Sequence, residues 1–386
     1  MDAALFAQLL SDKKVTNLKK LGYKYPQANI PEFIGLLKNG FYKPIPLKDF
    51  HGNSLVYLDS FAQINMNAFK TLIYPQSNSY GEKAVENEII STGKIENIDY
   101  NRESVRNILK GFAPKDDEEN RIFGLKKGFD FIADRCNTIT EENIYKLYMM
   151  AVGDFLDDAD KLIDDNRYRH DSVFVVGADV EHSGMPYIKL NVAMRELVEF
   201  INNEDNINDL AKATIIHFYI TYIHPYFDGN GRMARLLHLW FLVQKGYETA
   251  LFIPFSSYIA RSKKQYYNAY SVIEENYKIS GVIDVSPFIK YFSENVYNKL
   301  QKEEFSTDVF ENYDNQLRAG NVTEKEKQLW SFVISRYGKG EFSTKELEKD
   351  FGNAAYATIR SFVLKFEKLN LFTSQRYGNR VKYRIV

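Results

Sequence analysis

Two apolar runs facing each other across a short polar turn constrain this chain more than any other feature. The first, from Ala211 to Ile223, reads AKATIIHFYITYI, and the second, from Met233 to Val243, reads MARLLHLWFLV. Both have the length and spacing of buried helices. Between them lies His224-Pro225-Tyr226-Phe227-Asp228-Gly229-Asn230-Gly231-Arg232. Pro225 is expected to end the first helix, and Gly229 and Gly231 leave the backbone free to turn into the second. The leading amides of a helix have no partners within it, and the helix dipole places partial positive charge there. A turn that opens directly into a helix is therefore suited to an anion, most often phosphate.

The other residues of the turn fit the same chemistry. Arg232 and Arg235 share a helix face, and guanidinium groups clamp phosphate oxygens. Asp228 is a hard oxygen ligand of the kind magnesium uses beside substrate phosphates. His224, at the far end of the turn, carries an imidazole, whose ordinary pKa of ~6.5 suits a general base near neutral pH. Singly, each has an ordinary structural reading: a packed histidine, a tight turn, a solvated arginine pair. Together in one loop they describe a nucleotide-handling site.

The stretch His224 to Arg232 resembles the signature of Fic-domain proteins, His-Pro-Phe-x-Asp/Glu-Gly-Asn-Gly-Arg, with Tyr226 in place of Phe and a further arginine at Arg235. Most members transfer the AMP part of ATP to a hydroxyl side chain of a target protein and release pyrophosphate. The resemblance implies a mainly α fold, a helical core with a β-hairpin flap. It implies that His224 is the catalytic base, that Asp228 holds Mg2+, that Gly229, Asn230 and Gly231 cradle the phosphates of ATP, and that Arg232 and Arg235 hold the outer ones. Further upstream, Thr92-Gly93-Lys94-Ile95-Glu96-Asn97 is similar to the family's inhibitory motif, Ser/Thr-x-x-x-Glu-Gly/Asn. Thr92, Glu96 and Asn97 are thereby candidates for autoinhibition, with Glu96 occupying Arg235 and excluding the γ-phosphate. The resemblance places Val175, Val176 and Gly177 on the target-binding flap, and Tyr258, Tyr266 and Tyr267 beside the adenine. Many members have Asn at the place of Ser262, so a donor other than ATP stays open.

The chain has 386 residues, more than one ordinary core accommodates, so several domains are expected. Residues 1–75 read as a lead-in of short helices, 76–303 as the catalytic core including the inhibitory helix, 304–322 as a linker, and 323–386 as a small winged helix-turn-helix domain. Within the core, helices are predicted at 82–98, 104–111, 128–133, 140–163 with a break near Gly153, and 191–201. Ser172 to Val176 and Met185 to Leu190 are β-rich and flank a turn-forming segment, which predicts a hairpin. The acidic run from Asp157 to Asp165 lacks the spacing of a calcium loop and reads as a solvated face. His182, His217 and His238 read as structural.

A net charge of −1 gives the whole chain no general pull toward nucleic acid or membrane. From Asn353 onward, however, seven basic residues face one acidic, Glu367. That face suits DNA phosphates, and equally a protein contact or a homodimer. The second functional reading is accordingly a DNA-binding regulator whose core senses a nucleotide. A single cysteine, Cys136, excludes intramolecular disulfides. No signal peptide and no membrane-length apolar run is visible, and a cytoplasmic location is the default expectation.

Overall fold

The computed structural model describes residues 1–64, 82–163, 166–176, 181–247, 250–251, 253–300, 307–337, 340–352, 354–378 and 380–386. The connector expected over Tyr74–Gly81 lies outside them, as do Asp164 and Asp165. The architecture of the described residues is mainly helical, with short antiparallel hairpins.

The centre is the helix pair anticipated from the two apolar runs, Asp209–Ile223 and Asn230–Gln244. Asn208 caps the first by accepting from Leu210 N at 3.0 Å and Ala211 N at 3.3 Å, which satisfies two of the orphan amides at its start. Both helices are buried on nearly all faces, as helices that are apolar all round must be. The buried Lys212 is tolerated there because its ammonium reaches Asn203 O and Asp205 Oδ2, each at 2.8 Å. Around this pair pack Asp117–Ala133, Glu141–Ala151, Leu190–Asn202, Lys263–Ser280 and Ser286–Phe292.

The N-terminal lead-in holds the expected short helices, Ala3–Ser11, Leu18–Lys24 and Ile30–Gly40, but also a hairpin, β1 (Tyr42–Lys48) with β2 (Ser54–Leu58). Pro44 and Pro46 argue against a strand in sequence. They are tolerated because, among the described residues, β1 pairs only with β2 and its register shifts between Pro44 and Lys48, the edge position where proline costs no ladder bond. The stretch expected as a linker carries the helix Thr307–Arg318. Its Tyr313 stacks on Trp330 at 5.0 Å, and Asn312 Nδ2 donates to Leu369 O at 2.7 Å. It thus belongs to the C-terminal unit.

That unit continues with Glu324–Tyr337, Thr344–Phe351, Tyr356–Lys368 and the hairpin β5 (Phe372–Tyr377) with β6 (Arg380–Ile385). Ser343 and Glu346 form a capping box at the start of the second of these helices. Arg360, Lys368, Arg376, Arg380 and Arg384 are exposed. Lys365 is instead paired with Glu326 at 2.8 Å, and Lys382 lies 3.8 Å from Glu346. Among the described residues, no helix is long and apolar enough to cross a membrane.

The helix Glu82–Ile95, which carries Thr92, is held on both flanks. Glu86, fully buried, pairs with Arg102 and with Arg106, the latter at 3.1 Å. Glu88, also buried, accepts from Ser256 N at 2.8 Å and from the Ser256 hydroxyl, so it caps the helix Phe255–Arg261. Burial pushes the Glu88 carboxyl up to about 7, against the lowering effect of Ser256 and Arg235. The folded state therefore holds this proton more tightly than the unfolded chain. The stability it contributes is complete below the ordinary carboxylate pKa and is lost as pH rises toward 7. Glu88→Gln, neutral at every pH, is expected to flatten the decline in melting temperature between about pH 5 and 7. The difference from wild type corresponds to on the order of 3 kcal/mol at most. Parallel melting curves for the two proteins across that range would count against the raised pKa of Glu88.

Candidate active site

The first helix of the central pair ends at Ile223, and His224 follows in the left-handed region at φ 54°, ψ 66°. A non-glycine residue holds that conformation only where its surroundings enforce it. Here His224 N donates to Ile220 O at 3.0 Å, His224 O accepts from Arg169 Nε at 2.7 Å, and Nδ1 lies 3.2 Å from Thr221 O. A carbonyl partner assigns the proton to Nδ1 and so leaves the basic lone pair on Nε2. Thr221 is itself fixed, since its hydroxyl bonds Phe218 O and Tyr270 OH, each at 2.8 Å.

The loop beyond is built from the inside. Tyr226 is fully buried and stacks on Tyr148 with ring centroids 3.6 Å apart and planes 5° from parallel. Asn230 clips the loop shut: its Oδ1 accepts from Tyr226 N at 3.0 Å and its Nδ2 donates to Tyr226 O at 2.8 Å. The Asn230 side chain is therefore committed to the loop, and only its amide is left to serve a ligand. Gly229 starts the second helix at φ 81°. Met233 N makes the helix's first bond, to Gly229 O at 2.9 Å, so the amides of Asn230, Gly231 and Arg232 precede the ladder.

Asp228, about half exposed, pairs with Arg232 at 2.6 Å, and its other oxygen accepts from Gly229 N at 2.6 Å. Arg232 is buried to 6% exposure, and among the described residues its Nε has no hydrogen-bond partner. Arg235 is buried to 4%; it donates through Nε to Thr92 Oγ1 and through Nη2 to Glu96 Oε1 at 2.6 Å. Burial works against the charge on Arg235, but Glu96, together with Tyr266 and Glu88, outweighs it and holds the guanidinium above its ordinary pKa. The Glu96 carboxylate also lies over the helix start, where a methyl group on Gly231 would meet Oε1 at 2.3 Å. Asn97, at φ 61°, ends this segment and accepts from Lys263 Nζ at 2.7 Å.

A site for magnesium can be tested against these residues. Among the described residues no group of three or more His, Cys, Asp or Glu could cage a metal. Magnesium does not require one: it keeps several waters and binds through one or two carboxylates plus substrate phosphates. A single half-exposed carboxylate at a helix mouth, with an unpartnered buried guanidinium nitrogen beside it, fits that mode.

The hairpin expected as the target-binding flap is shorter, and its second strand lies elsewhere. β3 (Phe174–Val176) pairs with β4 (Glu181–Ser183), as Phe174↔Ser183, Val175↔His182 and Val176↔Glu181. The second strand was expected at Met185 to Leu190. That stretch instead enters a 3-10 turn, Tyr187–Lys189, because Pro186 has no amide for a ladder and its carbonyl accepts from Lys189 N at 2.9 Å. Gly177 lies outside the described residues. The hairpin is tied to the central helix through Met185 N, which donates to Ile223 O at 3.0 Å.

The three tyrosines are not equivalent. Tyr266 is buried, its hydroxyl lying between His217 Nε2 at 2.9 Å and Tyr270 OH at 3.0 Å. Tyr258 is 7% exposed, while Tyr267 is 43% exposed and its hydroxyl donates to Ile95 O at 3.3 Å, against the segment that carries Glu96. Ser262 Oγ donates to Tyr258 O and shares a bond with Tyr291 OH, both at 2.8 Å. His217 and His238 are buried core side chains, and burial lowers both pKa values, that of His238 to about 3. Sequence reasoning missed Arg169. It sits in the polar stretch Asn166 to Ser172, where nothing separates it from a surface arginine.

Residues 138–242 match the model of the Fic/DOC family. Proteins called protein adenylyltransferase Fic from Drosophila mojavensis and Drosophila willistoni are each 26% identical over 183 residues, 46% of this chain and 32% of the relative. The matched stretch is thus about a third of those relatives' length. A Fic family protein from Desulfovibrio desulfuricans G20 is similar in structure, with 20% identity, 79% of this chain and 87% of that one covered, and a TM-score of 0.47. A Fic domain containing signaling protein from Bacteroides thetaiotaomicron has 17% identity, coverage of 64% and 94%, and a TM-score of 0.43.

Proposed function

From a chain that carries a Fic/DOC-family domain, we propose a protein adenylyltransferase that moves AMP from ATP to a Ser, Thr or Tyr hydroxyl of a target protein and is restrained by its own Glu96. One observation carries the reading: a single loop presents an imidazole, a carboxylate, the open amides of a helix start and two buried guanidinium groups, and Glu96 lies across the last of these.

In the reaction, His224 Nε2 takes the proton of the acceptor hydroxyl as its oxygen attacks the α-phosphorus. The bond from that phosphorus to the oxygen bridging to the β-phosphate breaks, and pyrophosphate leaves with the electron pair. The amides of Asn230, Gly231 and Arg232 face the phosphate charge, and Arg232 and Arg235 hold its outer oxygens. Asp228 would hold Mg2+, which when bound neutralises phosphate charge. Catalysis of this kind is mostly positioning and fixed charge. The Glu96 carboxylate and the γ-phosphate need the same face of Arg235, so the two exclude each other by occupancy and by like charge. An extended target segment could add to the hairpin β3–β4 through main-chain bonds.

The test is incubation of the Glu96→Gly protein with magnesium and ATP labelled at the α- or the γ-phosphate. Protein-bound label from the α position alone is the expected result. Retention of γ-label would point to phosphoryl transfer and overturn the reading, as would ATP binding without any transfer.

A further inference from the structure

We propose that Arg169 is the positioning residue of the base: a buried guanidinium that locks His224 in its left-handed conformation and joins it to the base of the flap. The inference rests on the reading of His224 as the general base. Arg169 is 2% exposed, and among the described residues its side-chain hydrogen bonds end on main-chain carbonyls. Nε donates to His224 O at 2.7 Å, Nη1 to Asp171 O at 2.5 Å, and Nη2 to Met185 O and, at 3.4 Å, to Ile223 O. Its own amide donates to Pro225 O at 2.9 Å. Arg169 therefore contacts the residues on both sides of the base and the base itself.

The placement has a physical cause. The helix Asp209–Ile223 ends at the base, where its last carbonyls lack intrahelical partners and the dipole favours a cation. A planar fork of five donors can serve several carbonyls at once, which the compact ammonium of lysine cannot do in the same geometry. Burial lowers the pKa of Arg169, an effect that the Asp171 charge opposes. The packing leaves no slack. A methyl group on Gly184 would stand 2.8 Å from Arg169 Nη2 and 3.1 Å from His224 Cβ. Gly184 N in turn donates to Val173 O at 3.1 Å, at the foot of β3. The foot of the flap, the guanidinium and the histidine are thus one packed unit, and the direction of Nε2 depends on it.

Arg169→Lys and Arg169→Met, each combined with Glu96→Gly, separate positioning from general stability. Expected is a fall in kcat of about tenfold or more, with KM for ATP within about twofold, and no further loss when either variant is combined with His224→Ala. The His224 ring signal, assigned by its absence in His224→Ala, is expected to move in Arg169→Lys while those of His217 and His238 stay. Unchanged kcat with an unmoved His224 signal would overturn the proposal. So would loss of ATP affinity in proportion to kcat, which marks a merely structural residue. Absence of transfer with Arg169 intact would instead count against the general-base reading, and the ring signal would still test the positioning.

Discussion

Glu96→Gly is expected to raise the rate of AMP transfer to the protein itself by roughly ten- to a hundredfold, the range of a typical coupling between two sites. The carboxylate stands 2.6 Å from Arg235 Nη2 and directly above Gly231. It therefore blocks both the guanidinium and the mouth of the helix. Its removal frees the guanidinium while the bond to Thr92 remains. The same change leaves a buried arginine without its counter-charge, which is destabilising. The variant is accordingly expected to melt below wild type without ligand and to recover more than wild type when ATP and magnesium are added, since a ligand bound only by the native state stabilises it. Rates of labelling and paired melting curves check both halves. Equal labelling by wild type and variant would remove the autoinhibition.

His224→Ala, made in the released background, is expected to lower transfer by about 10²–10⁴-fold, the ordinary contribution of a general base, with ATP affinity retained. Alanine is strained at φ 54°, so a loss could be ascribed to backbone rearrangement. Asparagine tolerates the left-handed region and cannot take the proton. His224→Asn is therefore expected to show the same loss of turnover with the melting temperature better preserved. Turnover in the asparagine variant near that of its parent would remove the imidazole from the chemistry.

Much of this site was legible because its parts are local. Turn, helix start and arginine spacing lie in one uninterrupted stretch and follow from short-range rules. The partner of Arg235 is another matter, since Glu96 lies 139 positions away, and only a resemblance between motifs linked them. Arg169 was illegible for a related reason. Its role depends on the carbonyls that the fold brings to it, and a carbonyl has no sequence signature. The Asn230 side chain is a loop clip, because it reaches back to Tyr226 rather than outward, and the turn pattern alone does not separate its side chain from its amide. In the fold, the central helices followed from composition. The helix Thr307–Arg318 was hidden by its polar face, although Phe310, Tyr313 and Leu317 recur at helical spacing. The second flap strand was misplaced because Met185 to Leu190 has β-forming residues, whereas Pro186 dictates a turn.

The most direct measurement is a crystal structure of the Glu96→Gly protein with magnesium and an ATP analogue that cannot transfer its AMP. The account predicts the triphosphate at the amides of Asn230, Gly231 and Arg232, its outer oxygens on Arg232 and Arg235, and the α-phosphorus on the side of His224 Nε2. A nucleotide bound elsewhere, or one whose α-phosphorus lies out of reach of that nitrogen, would contradict it.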